Sequence, residues 1–213
     1  IIQAEKIFKE VISKNDKELF NIPYMSLNEY KEVRSFTLDL IKNCKTEREK
    51  TKVIYDWIID NLVYDTNAYT YSVYQPFKTK KAVCFGYTSL LHDMLSAADI
   101  MSSYVSGYTT YDNLEYTEIF ENVSNSNSHA WIYAYVDGEV LIMDPTWADG
   151  YNDKEYGFDM DINSMYKTHM VLKIDETAVI PEGIDYRLYL YLLLGHKFVL
   201  DQLKFSLNYH NNI

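Results

Sequence analysis

The sequence predicts an α+β fold, with helices in the first half of the chain and an antiparallel sheet in the second. Three observations carry this. Apolar residues recur at helical spacing up to about Ala98. Residues 129 to 143 then alternate in β fashion about an Asp137-Gly138 turn signal. No repeat and no linker divides the 213 residues into separate domains.

Residues 1 to 20 place Ile1, Ile2, Ile7, Phe8, Val11, Ile12, Leu19 and Phe20 near one helical face. Ser26 followed by Glu29 forms a capping-box pattern ahead of Val33, Phe36, Leu40 and Ile41. Thr46 with Glu49 repeats that pattern and opens an amphipathic run through Val53, Ile54, Trp57, Ile58, Ile59 and Leu62. Residues 64 to 82, with Asp65, Asn67, Ser72 and Pro76, read as a loop. Cys84 starts a further helix through Leu90, Leu91, Met94 and Leu95. Residues 100 to 108 read as a strand and 109 to 128 as a polar loop ending in a run of Asn and Ser. Strands 129–136 and 139–143 make a hairpin, 149–163 an acidic loop, and 168–200 short strands.

Composition narrows the function. With 47% apolar or aromatic residues, the chain can bury a sizeable core. Its net charge of -11 repels phosphate backbones, which argues against nucleic acid as a partner, and Lys78 to Lys81 is too short a basic stretch to reverse this. Two cysteines, Cys44 and Cys84, exclude a disulfide scaffold and a four-cysteine metal site. No run reaches the roughly 18 apolar residues of a membrane span. The 21 tyrosines read as composition bias. The chain starts at Ile1 and reads as trimmed from a longer one. A secreted or cell-surface bacterial protein is expected, with a cytosolic one close behind.

The candidate chemistry is thiol catalysis. A thiolate is favoured by a helix N-terminus, a neighbouring imidazole and partial exposure. Cys84 stands where a loop meets a helix, Gly86 allows another backbone close by, and backbone N–H groups at a helix start can hold an oxyanion. The plainer alternative is a small buried hydrophobe. His129 opens a strand after a loop, and Asp144 closes the facing strand, so both come back to one end of the hairpin. An Asp so placed can hold the imidazole by its Nδ1–H. Alternatively, His129 is a strand-edge residue and Asp144 a turn residue before Pro145.

The stretch KAVCFGYTSLLHDML, Lys81 to Leu95, resembles the nucleophile motif of bacterial transglutaminase-like domains. SHAWIYAYVDGEVLIMDPTW, Ser128 to Trp147, is similar to that family's His-Ala-Trp strand, Asp-Gly turn and Asp-Pro-Thr-Trp close. KTKVIYDWIIDNLVYD, Lys50 to Asp65, looks like the helix before the nucleophile, and Phe158 to His169 resembles the segment after the triad. The resemblance implies a papain/transglutaminase-like core, with the nucleophile helix packed on an antiparallel sheet. It assigns Cys84, His129 and Asp144 as a catalytic triad. It divides the chain into an N-terminal extension (1–45), a core (46–170) and a C-terminal extension (171–213) that completes or flanks it. It also implies a second oxyanion donor before the nucleophile, for which Tyr74 and Gln75 are candidates, loop packing being the alternative. A protein or peptide substrate and no cofactor are implied.

Two departures from the family pattern, Phe85 and Ile132, could narrow the cleft, which leaves a non-catalytic binding module as the rival reading. A third reading makes the two extensions docking surfaces. Trp131 and Trp147 are expected to wall the cleft and keep the His–Asp pair dry, or simply to pack in the core. His92, His169, His196 and His210 show no partner at metal spacing and read as background. Asp159, Asp161 and Asn163 mimic the start of a calcium loop, but Ser164 and Met170 replace its essential Gly and Glu, so a solvated acidic loop is expected.

Overall fold

The structure, a computed structural model, describes residues 26–70, 72–110, 127–165 and 167–174. The expected helix over 1–20, most of the 109–128 loop, the strands expected beyond 174, and His196 and His210 lie outside the described residues. The elements run α1 Leu27–Leu40, α2 Glu47–Asn61, β1 Val63–Tyr64, α3 Tyr74–Thr79, β2 Lys81–Ala82, α4 Cys84–Ala97, β3 Met101–Thr109, β4 Asn127–Val136, β5 Glu139–Met143, α5 Pro145–Tyr151, α6 Ile162–Met165 and β6 His169–Ile174. They fall within one compact unit, Ile22–Asp175. Helices lead and an antiparallel sheet follows, as predicted.

Both capping boxes form. Ser26 and Glu29 exchange side-chain and backbone hydrogen bonds at the start of α1, as do Thr46 and Glu49 at the start of α2. Each satisfies two N–H groups that a helix start otherwise leaves without partners. Helix α1 packs on α3 and α2 through Phe36, whose ring lies 4.9 Å from Trp57 and 5.3 Å from Phe77. From α1, Arg34 Nη1 also donates to the Ala97 carbonyl at 2.8 Å, capping the last turn of α4.

Helix α4 is buried on nearly every side, as a helix at the centre of a core must be. Leu90, Leu91, Met94 and Leu95 are fully buried in it, and each burial stabilises the fold by about 1.5–3 kcal/mol. Its start is pinned by close approach. A Cβ on Gly86 would sit 2.6 Å from the Ala82 Cβ and 2.9 Å from Pro76, so only glycine lets β2 and α3 lie against the first turn.

The sheet order is β5-β4-β3-β6, antiparallel throughout. The β4–β5 hairpin turns at Asp137 and Gly138, both at positive φ, as the Asp-Gly signal requires. The turn is tied to α2: the Asp137 N–H donates to Glu47, and the Arg48 N–H donates to Asp137. Along β4, Ile132, Ala134 and Val136 join the helical core, and alternation turns His129, Trp131 and Tyr133 to the other face.

Two expected loops carry structure. Within 64–82 lie β1, which pairs in parallel with β2, and the six-residue α3. Too short for a periodic signal, α3 lacks a side-chain cap and carries Pro76, and buries only Pro76 and Phe77. The region after Asp144 is not all loop either: α5 and α6 occupy its two ends. Helix α5 follows directly from Asp144 at its N-cap and Pro145 at its first position. No described helix is long and apolar enough to cross a membrane.

Candidate active site

Asp144 anchors the site, and local structure fixes it on every side. As the N-cap of α5 it accepts the Thr146 and Trp147 N–H groups on Oδ1, both at 3.0 Å. Its own N–H donates to the Gly157 carbonyl at 2.8 Å. A Cβ on Gly157 would meet the Asp144 carbonyl at 2.2 Å, so glycine is required for that approach. Oδ2 receives two imidazoles: His129 Nε2 at 2.6 Å and His169 Nε2 at 3.0 Å. The carboxylate is wholly buried, yet four N–H groups surround it.

The electrostatics follow. Burial disfavours the Asp144 anion, but the His129 charge and hydrogen bond, with a further bond from His169, hold its carboxyl well below the usual carboxylate range. For His129, burial alone would depress the imidazolium. Asp144 outweighs it, a hydrogen bond with Cys84 adds to it, and the imidazole is pushed up to about 10. His169 goes the other way. Burial, together with the His129 charge, holds it below its ordinary value despite the same carboxylate oxygen. Proximity decides between the two: at 2.6 Å His129 makes the ion pair, and a second cation on a shared oxygen is disfavoured.

The nitrogen that faces Asp144 is Nε2, not the Nδ1 of the sequence-based expectation. His129 lies within β4, as expected, and from there Nε2 is the nitrogen that reaches Asp144 at the junction of β5 and α5. Nδ1 is thereby left for the thiol. Cys84, half-buried and free, stands at the first position of α4, where backbone N–H groups lack helical acceptors.

Aromatic rings enclose the pair. Trp131 and Trp147 each lie 6.2 Å from the His129 ring, and both are buried. Tyr74 instead donates its hydroxyl to Glu32 at 2.5 Å, with Lys78 above its ring, and Gln75 is exposed on α3. Phe85 packs its ring 5.5 Å from Tyr104, and Ile132 is fully buried in the helical core on the strand face away from His129. His92 bonds Ser102 at 2.8 Å. Asp159 pairs with Arg48, and Asp161 caps Ser164.

His169 corrects the sequence reading that set it aside. It has no partner at helical or loop metal spacing because its partner, Asp144, is 25 residues away and reached through β6 beside β3. The signal was present in the family-like segment from Phe158 to His169. Among the described residues, His129, Asp144 and His169 are the one cluster that could hold a metal. Their spacing disfavours it: two ligands on a tetrahedral ion with 2.0 Å bonds lie about 3.3 Å apart, whereas these atoms are 2.6 and 3.0 Å apart, at hydrogen-bond distance.

The chain is similar to several known proteins. The sequence model of the transglutaminase-like superfamily matches residues 34–145. The chain is 29% identical over 146 residues to the mouse kyphoscoliosis peptidase, covering 65% of this chain and 22% of that protein. It is 27% identical over 150 residues to the uncharacterized protein YebA of Bacillus subtilis strain 168, covering 63% and 20%. The chain thus matches about a fifth of the length of these relatives. Among solved structures, the periplasmic domain of TgpA from Pseudomonas aeruginosa is similar at a TM-score of 0.47 and 16% identity, covering 63% of this chain and 50% of that one.

Proposed function

The chain belongs to the transglutaminase-like superfamily, and on that premise we propose that it is a thiol enzyme that transfers or hydrolyses acyl groups through Cys84, His129 and Asp144. The observation that carries this is the directed imidazole. Asp144 holds His129 by Nε2 at 2.6 Å, leaving Nδ1 to face the thiol, and Cys84 adds to the rise in the imidazole's proton affinity. That is the nucleophile–base–orienter relation that covalent catalysis needs.

His129 takes the Cys84 proton, and Asp144 stabilises the imidazolium. The thiolate attacks a carboxamide or peptide carbonyl, forming a carbon–sulfur bond while the carbonyl electron pair moves to oxygen. The oxyanion lies against N–H groups at the start of α4, including that of Cys84. Collapse breaks the carbon–nitrogen bond, and His129 returns its proton to the leaving amine. Water then resolves the thioester, giving a peptidase or amidase, or an amine does so, giving a transglutaminase. Water is the acceptor unless the cleft excludes it. The kyphoscoliosis peptidase, by its name, favours the hydrolytic outcome and a protein or peptide substrate.

The test is the rate of Cys84 alkylation by iodoacetamide against pH. Reactivity that persists well below pH 7 and collapses in His129→Ala supports the ion pair. A wild-type thiol that reacts only near pH 8.5, like an unperturbed cysteine, overturns it.

A further inference from the structure

The proposed triad needs one imidazole on Asp144, and the structure supplies two. His169 opens β6 and is buried. Its Nε2 lies 3.0 Å from Asp144 Oδ2, and its Nδ1 lies 2.8 Å from Thr168 Oγ1, whose hydroxyl is also 3.1 Å from the Met165 carbonyl. The tautomer follows from the partners. Facing a carboxylate, Nε2 must carry the proton. In the neutral ring Nδ1 is then an acceptor, and the Thr168 hydroxyl donates to it. A charged ring would have to donate from Nδ1, forcing that hydroxyl onto Met165. Trp147 at 4.5 Å and Trp131 at 5.1 Å fix the plane of the ring. The ring is thus held at both nitrogens and beside two indoles, far more than filling a core position requires. It also lies beyond the stretch 34–145 that defines the family match.

We propose that His169 is a positioning residue of the triad: with its tautomer set by Thr168, its Nε2–H holds Asp144 Oδ2 as an anion aimed at His129, so that the shared proton stays on His129. This rests on the reading of Cys84, His129 and Asp144 given above. The reason is a competition for one proton across 2.6 Å. Either His129 is charged and Asp144 is an anion, or both are neutral. A donor to Oδ2 favours the anion alone. Without it Asp144 accepts a proton at higher pH, His129 becomes neutral, and the Cys84 thiolate loses its counter-ion.

The experiment is Cys84 alkylation by iodoacetamide from pH 4 to 9 in the 213-residue chain, with His169→Leu, His169→Gln and Thr168→Val beside wild type. Leucine keeps the bulk without a donor; the glutamine amide can donate where Nε2 did. The acid limb of the His169→Leu profile is expected to move up by about one to two pH units, the scale of a lost hydrogen bond to a charged group. Glutamine should return it most of the way, and Thr168→Val should move it less, in the same direction. Coincident limbs for Leu and Gln mean that the ring serves packing only and overturn the proposal. If His169→Leu does not fold by near-ultraviolet circular dichroism, an unmoved limb in Thr168→Val overturns it. Should wild-type Cys84 titrate as an ordinary thiol, it is the triad reading that fails. The low-field His129 Nε2–H resonance, which needs no reactive thiol, then decides: a displacement in Thr168→Val or His169→Leu that His169→Gln largely reverses sustains the proposal, and none overturns it.

Discussion

Asp144 and Asp93 are both buried aspartates, on adjoining parts of one fold, and they titrate in opposite directions. Asp144 is held below the usual carboxylate range, whereas burial pushes Asp93 up to about 8. Depth does not separate them, since both are almost inaccessible. Donors do. Asp144 sits at a helix N-cap and strand end where four N–H groups converge. Asp93 lies within α4, where backbone N–H groups are already committed to the helix, and its Oδ2 has no hydrogen-bond partner among the described residues. The lesson is that a buried charge is tolerated where chain geometry leaves backbone donors free, namely at element ends.

The largest effect should come from breaking the favourable side of this comparison. Asp144→Asn keeps the shape but removes the counter-ion of His129. Alkylation of Cys84 at pH 6 should then fall by about two orders of magnitude, the difference between a paired thiolate and an ordinary thiol at that pH. A rate within a factor of three of wild type would mean that the carboxylate is structural only. The same pair gives a signature in stability. His129 has a raised folded value, so its contribution is complete below about pH 6.5 and is lost as pH rises toward about 10.

Asp93 sharpens the comparison from the other side. Its folded value lies above the unfolded one of about 3.9, so between about pH 4 and 8 the folded state binds a proton that the unfolded chain does not. Stability therefore falls as pH rises through that window and levels off above it. Asp93→Leu removes the slope. The variant should match wild type within about 1 kcal/mol at pH 5 and exceed it by about 4 kcal/mol at pH 9, since one proton held over about three pH units is worth about 1.4 kcal/mol per unit. Urea unfolding at the two pH values measures both. Equal differences at the two would show that Asp93 has found a partner when ionised.

How much of this was legible in the sequence divides along the same line. Capping boxes, the Asp-Gly turn and helical periodicity placed α1, α2, α4, β4 and β5, because each is a local signal fixed by residues within four positions of one another. The approach of His129 to Asp144 was legible because one hairpin joins them. The ring nitrogen facing Asp144 was not, since it depends on how far β4 lies from the neck before α5. The partner of His169 was hidden from spacing rules for a related reason. The link to Asp144 is made by β6 pairing with β3 across the sheet, and no spacing rule spans 25 residues. Helices α3 and α5 escaped because six and seven residues hold too few turns for a periodic pattern.

The smallest effect should come from the charges that surround the site without entering it. Lys52 on α2 bridges Asp56 at 2.7 Å and Glu155 at 2.8 Å, and its ammonium lies 5.3 Å from the Phe158 ring. Glu155 and Phe158 lie within two residues of Gly157, whose carbonyl accepts the Asp144 N–H, so Lys52 is two links from Asp144. Burial opposes its charge, but the two carboxylates win and raise its affinity for a proton. Closeness to water explains the modest size. Glu155 is largely exposed, and such pairs are screened and cost side-chain freedom. Lys52→Met should therefore lower stability by about 0.5–1 kcal/mol at low salt, with the loss shrinking in 1 M salt, and should leave the pH profile of Cys84 alkylation in place. If that profile moves as far as it does in Asp144→Asn, then the loop behind Asp144 is held by surface charge rather than by backbone, and the contrast between converging N–H donors and solvated ion pairs does not hold for this fold.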